Sequence, residues 1–161
     1  MAYEFERKFL VASDDWKAAV TESRRLRDGL IARFGNGKVR VRLEQDRAWL
    51  TVKGPKVGIG RAEFDYGIPV ADAEEMLRSC CDGPPIEKTR FLVPHAGLTW
   101  EVDVHEGALE GLVLAEVELE HEHQPLVLPG WVGEEVTGDP RYQKRNLLKR
   151  VAEAALEQAA K

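Results

Sequence analysis

The sequence predicts an antiparallel α+β fold, either an open meander or a closed barrel with flanking helices, and three observations carry this. About eight short segments alternate apolar and charged residues, as half-buried strands do. Short turns rich in glycine and asparagine join several of them as hairpins. Helical spacing is confined to three segments, and no repeat or linker divides the 161 residues, so residues 1–161 read as one domain.

The elements follow in order. Residues 3–11 form the first expected strand, and within it "EFERKFL" sets Glu4, Glu6 and Lys8 on one face. Ser13 or Asp14 is expected to cap a helix through Arg27 that Gly29 closes. Its apolar side is thin: Trp16, Ala19, Val20 and Leu26. Leu30 to Phe34 is a short strand, and "GNGK" (35–38) is a hairpin turn. "VRVRLEQ" (39–45) and "RAWLTVK" (47–53) are strands around a tight turn at Asp46 and Arg47. "GPKVGIG" (54–60) is a loop and "RAEFDYGIP" (61–69) a strand. Asp72 and Glu75 resemble a capping box that opens a helix to about Cys80, which "DGPP" (82–85) breaks. Segments 86–93, 98–104 and 112–120 are three more strands. "QPLVLPGW" is irregular, and Gly133 to Tyr142 is read as structural. The last helix runs from Gln143 to Ala159, with Leu147, Leu148, Val151 and Ala155 on one face.

Composition excludes several classes. The net charge of −5 argues against a general nucleic-acid binder. It leaves room for a local basic cluster that binds an anion. No apolar run reaches the length of a membrane span or a signal-peptide core. Cys80 and Cys81 are adjacent and read as reduced thiols of a cytoplasmic protein.

The strands share one rule. One face carries Glu4, Glu6 and Lys8; Arg40 and Arg42; Lys53; Arg61 and Glu63; Lys88 and Arg90; Glu101 and Asp103; Glu116 and Glu118. The other is mainly apolar, as in Val39, Val41, Leu43, Trp100, Val102 and Val117. A sheet with one face on the core and one in water would produce this pattern. However, the charged face is almost purely ionic, and its signs are segregated by strand. A closed sheet could turn that face inward instead. Like charges crowded there cost about 4 kcal/mol per pair at 4 Å and an effective dielectric of 20. A polyanion would satisfy the arginines and lysines, and a hard divalent cation the carboxylates. That is the chemistry of a metal–triphosphate site.

These residues also resemble a family. "EFERKFL" carries the E-x-E-x-K motif of the CYTH proteins, or triphosphate tunnel metalloenzymes. "VRVRLEQDRAWLTVKGP" resembles that family's R-x-R hairpin and lysine-glycine-proline turn, "GRAEFDYGI" its R-x-E strand, and "IEKTRF" its K-x-R strand. "TWEVDVHEGALEGLVLAEVELE" resembles its paired W-E-x-D and E-x-E strands, and "GEEVTGDPRY" the segment before its last helix. The resemblance implies an eight-stranded antiparallel barrel and metal-dependent chemistry on a small-molecule triphosphate. The chain looks most like the small bacterial inorganic triphosphatases. The resemblance implies Mg²⁺ or Mn²⁺ held by Glu4, Glu6, Glu116 and Glu118, with help from Asp103. It assigns phosphate binding to Arg40, Arg42, Lys53, Lys88 and Arg90, with Arg61 and Glu63 in support. It puts Lys8 near the scissile phosphate and has a metal, Glu4 or Glu6 activate water. Many small bacterial members read G-Y-L after the first helix, where the tyrosine pairs with the motif lysine. Here the stretch is Gly29-Leu30-Ile31.

Thiamine triphosphatase, nucleoside triphosphatase, adenylate cyclase and a non-catalytic polyphosphate or nucleotide binder remain alternatives. The sequence leaves the oligomeric state open, a homodimer included. Weaker signals read as structure. "GPKVGIG" lacks P-loop spacing. "HEHQ" (121–124) reads as a solvated turn, and His105 as a surface residue or a neighbour of the tunnel mouth. The four tryptophans are scattered, as core or wall packing would have them. Lys144, Arg145, Lys149 and Arg150 on the last helix form either a solvated face or a tunnel plug.

Overall fold

The computed structural model describes residues 3–161. Its strands are β1 (Tyr3–Val11), β2 (Glu22–Phe34), β3 (Gly37–Glu44), β4 (Arg47–Lys53), β5 (Gly60–Ile68), β6 (Ile86–His95), β7 (Leu98–His105), β8 (Val113–Leu119) and β9 (Val132–Glu135). The helices are α1 (Val70–Ser79) and α2 (Lys144–Ala159). Every strand pairing is antiparallel, in the order β5-β4-β3-β2-β6-β7-β8-β1. The start of β1 pairs back onto β5 through Tyr3↔Ala62 and Phe5↔Gly60, which closes an eight-stranded barrel. The far end of β1 pairs instead with β9, a strand the sequence pattern did not signal.

The expected helix over residues 13–27 is not present. A single 3₁₀ turn at Asp15–Ala19 is followed by β2, which extends through the expected strand at 30–34. The alternation that decides this is Arg24, Leu26, Asp28 and Leu30 on one face against Arg25, Arg27, Gly29 and Ile31 on the other. Both edges of β2 are paired, to β3 and to β6, and this long-range pairing overrides weak local helix preference. Gly29 is therefore no helix stop. A Cβ there would sit 2.6 Å from Cys81 Sγ and 2.9 Å from Leu77 Cδ2, so its bareness lets α1 lie against β2. The capping box is also absent. Helix α1 starts at Val70 behind Pro69, with no side-chain cap, and Glu75 accepts from Ser79 and pairs with Arg78 instead.

The apolar faces of the strands point outward and are covered in patches. Phe9, Trp100, Val102 and Val117 pack beneath Trp16 and Trp131, with Trp100 edge-on to Trp131 at 5.7 Å. Ala73 and Leu77 of α1 cover Val41, Leu43 and Ala48. Leu147, Leu148 and Val151 of α2 pack on Ile86, Leu109, Leu114 and Val136. Ile86 and Leu114 stand opposite Asp28 and Asp103, on the inward face, so α2 seals apolar ends of the barrel wall. Three tryptophans thus pack the outside as expected, while Trp49 stands opposite Arg42 on the inward face.

Candidate functional site

Strand alternation turns the ionic face into the barrel, where it lines a cavity of about 420 Å³. Glu4, Glu6, Lys8, Arg40, Arg42, Lys53, Arg61, Glu63, Lys88, Arg90, Glu116 and Glu118 all line it. The lining includes twelve lysines and arginines against seven aspartates and glutamates. The whole chain carries −5, so positive charge is concentrated here against the overall balance.

The acids divide into paired and unpaired sets. Glu4 accepts from Lys53 Nζ at 2.9 Å and Arg61 Nε at 3.2 Å. Glu116 lies 3.4 Å from Lys8 Nζ and 3.6 Å from Arg90 Nη2. Burial alone would raise the Glu116 carboxyl, but Lys8 and Arg90 hold it well below the usual range. Glu6 and Glu118 face each other across β1 and β8, and neither has an ion-pair partner among the described residues. Burial and Glu116 push Glu6 up, while burial and Glu4 push Glu118 up. Among the described residues no group of three or more acidic, histidine or cysteine side chains could hold a metal ion unaided. A pair of carboxylates without ion pairs still suits Mg²⁺, which usually takes one or two protein carboxylates and completes its shell with water and phosphate oxygens.

The cations are held by buried acids on the same inward face. Asp103 is buried and does not line the cavity. It accepts from Lys88 Nζ at 2.6 Å and from Arg90 Nε at 2.8 Å, so it orients both basic groups. Asp28 is fully buried and takes Arg42 Nε at 2.7 Å and Nη2 at 2.8 Å. Lys144 pairs with the same carboxylate, and Lys88 stands 4.0 Å away. Burial opposes the charged form of Asp28, yet Arg42 and Lys144 hold it well below the usual range. Lys144 is itself pushed down, because burial and its neighbours Lys88, Arg40 and Arg42 outweigh one shared aspartate. Among the described residues Arg40 has no carboxylate partner; its Nη2 donates to Thr51 at 3.2 Å, and its buried Nε finds no acceptor there. This orphaned guanidinium nitrogen calls for an anion.

Several of these residues escaped the sequence pattern. Asp28 was hidden by the helix reading of its segment. Lys144 and Arg145 line the cavity, whereas Lys149 and Arg150 are exposed on the outside, so the basic residues of α2 divide between the two readings. Lys38 extends the Arg40-x-Arg42 alternation by one step, a signal masked by its place in the turn motif. Lys56 comes from the glycine-rich loop and Arg33 from the end of β2. His105 is buried opposite Lys88 on the inward face: burial and Lys88 bring it to about 4, and Nδ1 sits 3.0 Å from the Leu112 carbonyl oxygen. Leu30 packs into the apolar cluster under α2, and Lys8 Nζ donates instead to the Tyr142 carbonyl oxygen at 3.2 Å.

The sequence matches the CYTH domain family over residues 2–152. An inorganic triphosphatase of Acetivibrio thermocellus is 46% identical over 149 residues, covering 92% of this chain and 95% of the relative. An inorganic triphosphatase of Nitrosomonas europaea is 37% identical over 151 residues, covering 89% and 95%. A crystal structure of an inorganic triphosphatase superposes with a TM-score of 0.63 at 34% identity, covering 92% of this chain and 95% of that one.

Proposed function

The chain belongs to the CYTH domain family, and from that premise we propose that it is a metal-dependent triphosphatase that cleaves inorganic tripolyphosphate to diphosphate and phosphate. The observation that carries this is the surplus of cations around the barrel cavity in an acidic protein. Only a compact polyanion neutralises such a wall. Tyr142 is the sole aromatic residue of the lining among the described residues, so the cavity offers little to a nucleobase or a thiamine ring.

Arg40, Arg42, Lys53, Lys88 and Arg90 would hold the phosphate oxygens, fixed by Asp28, Glu4 and Asp103, and the tunnel would set the chain in line for attack. Arg61 and Glu63 would brace Glu4 and Lys53. Glu6 and Glu118 would hold the metal, with Glu4 and Glu116 flanking them; Mg²⁺ or Mn²⁺ there would supply a Lewis acid for a phosphoryl oxygen. Lys8, aimed by Glu116 and the Tyr142 carbonyl, offsets charge that builds on the equatorial oxygens. Glu4 or Glu6 would take the proton of the attacking water as the new P–O bond forms and the anhydride bond to the diphosphate breaks. We place the enzyme in the cytoplasm, where Cys80 and Cys81 stay reduced, and treat the chain as a single working domain.

A phosphate-release panel tests the proposal, with Mg²⁺ or Mn²⁺ over tripolyphosphate, thiamine triphosphate and ATP. Tripolyphosphate should turn over fastest. Tight binding with no release would favour a binding protein, and cyclic AMP from ATP would favour a cyclase.

A further inference from the structure

We propose that Arg33, Lys38 and Lys56 form a separate anion subsite at the rim of the tunnel, which holds the phosphate of the substrate farthest from the one attacked. The proposal rests on the triphosphatase reading and adds an orientation to it.

The geometry comes from the β2–β3 hairpin. Arg33 stands opposite Lys38, and Lys38 opposite Lys53, so three cations lie in one row across β2, β3 and β4. The row sits one register step from the turn pair Phe34↔Gly37, at the edge of the barrel. Lys56 reaches the same place from the loop between β4 and β5, whose backbone N–H at Lys56 donates to Asn36 Oδ1 at 3.0 Å. All three side chains line the cavity.

Most deeper cations have acids, Arg40 excepted. Lys53 lies 2.9 Å from Glu4 and 3.1 Å from Glu63, and Lys88 lies 2.6 Å from Asp103. Arg33, Lys38 and Lys56 have no ion-pair partner among the described residues. Of the acids that line the cavity, Glu4 and Glu63 are engaged by Lys53 and Arg61, and Asp139 by Arg141, while Glu6 and Glu4 act on Lys56 without forming an ion pair with it. The charged groups that act on Lys38 are Arg40 on its own strand, Lys53 on β4, Arg61 on β5 and Lys8 on β1, all of them cations. Burial, then these neighbours, bring Lys38 down to about 7. Arg33, Lys38 and Lys56, cations without an ion pair at the edge of a polyanion tunnel, make a place for phosphate oxygens. A phosphate seated there would restore the full charge of Lys38, so substrate binding draws in a proton.

Calorimetric titration of the metal-free chain with tripolyphosphate at pH 8, in two buffers of different ionisation heat, reads both affinity and proton uptake. The unaltered chain should take up roughly 0.9 proton more than K38R, because the lysine is mostly neutral at that pH and arginine is not. K38M should bind tripolyphosphate about tenfold or more weakly. Its affinity for diphosphate, too short to reach the rim, should stay within about threefold of the parent. Equal proton uptake by parent and K38R, with K38M unchanged toward tripolyphosphate, would overturn the subsite alone. Failure of the unaltered chain to bind tripolyphosphate at all would overturn the triphosphatase reading as well. Since K38R keeps charge and bulk, it guards against a loss caused by misfolding.

Discussion

Asp28→Asn tests how the cationic wall is kept from flying apart. Asp28 has no exposed surface, and its two oxygens accept both arms of Arg42 at 2.7 and 2.8 Å. Lys144 shares the same carboxylate, and Lys88 stands 4.0 Å off. The asparagine keeps the shape and removes the carboxylate that Arg42 and Lys144 share. Its amide hydrogens would also face a guanidinium or an ammonium. Breaking a buried ion pair by removing one partner typically costs about 3–5 kcal/mol. For a chain of this size each kcal/mol moves Tm by about 2–4 °C, so thermal unfolding should drop by about 6–20 °C. A second step isolates the cause. Lys144→Met deletes one of the stranded cations, so D28N combined with K144M should lose less than the two single changes summed, by at least about 1 kcal/mol. Added tripolyphosphate should raise Tm more in D28N than in the parent, because the anion supplies what the aspartate no longer does. A D28N protein that melts within about 2 °C of the parent, or strict additivity in the double variant, would refute the reasoning.

Three further outcomes follow from the same geometry. Glu6→Gln should lower turnover about a hundredfold or more, yet leave Tm equal or higher, because it relieves a carboxylate raised by burial and by Glu116; steady-state rates and a melting curve on one preparation check both halves. Leu147→Ala, at a site only 3% exposed under α2, should cost about 2–5 kcal/mol in a denaturant titration. Acid should unfold the protein as Asp28, Asp103 and Glu116 protonate. All three are held below their ordinary values of 3.8 and 4.5, so their contribution is complete above those values and lost as pH falls beneath them. Tm measured from pH 6 to 2.5 should fall once pH drops below about 4, and a flat profile would contradict the buried pairs.

The barrel also reverses the usual placement of apolar and charged faces. Its oily layers lie between the strands and the segments that cover them, as with Trp131 over Trp100 and Leu77 over Val41. The interior is then free to hold charge, and the ion pairs there are weak evidence for stability. Their value is in aim. Glu116 points Lys8, Asp103 points Arg90, and Asp28 points Arg42. The charge they leave over is the part that can meet a ligand.

Much of this was legible in the chain itself, because a strand puts residues i and i+2 on one face whatever surrounds it. That local rule was enough to gather Glu4, Glu6, Lys8, Arg40, Arg42, Lys88, Arg90, Glu116 and Glu118 onto a common surface and to suggest what such a surface binds. It was not enough to say which way the surface faced, since curvature and closure depend on Tyr3 meeting Ala62 across the length of the fold. Segment 22–34 shows the limit most plainly. Its local preferences allow a helix, and only hydrogen bonding to β3 and β6 makes it a strand and carries Asp28 inside. Lys144 likewise stays open between a solvated face and a tunnel plug, and Lys38 passes as part of a turn, until α2 and the hairpin are docked. Pairing of neighbours is written locally, whereas burial of a charge is a property of everything packed around it.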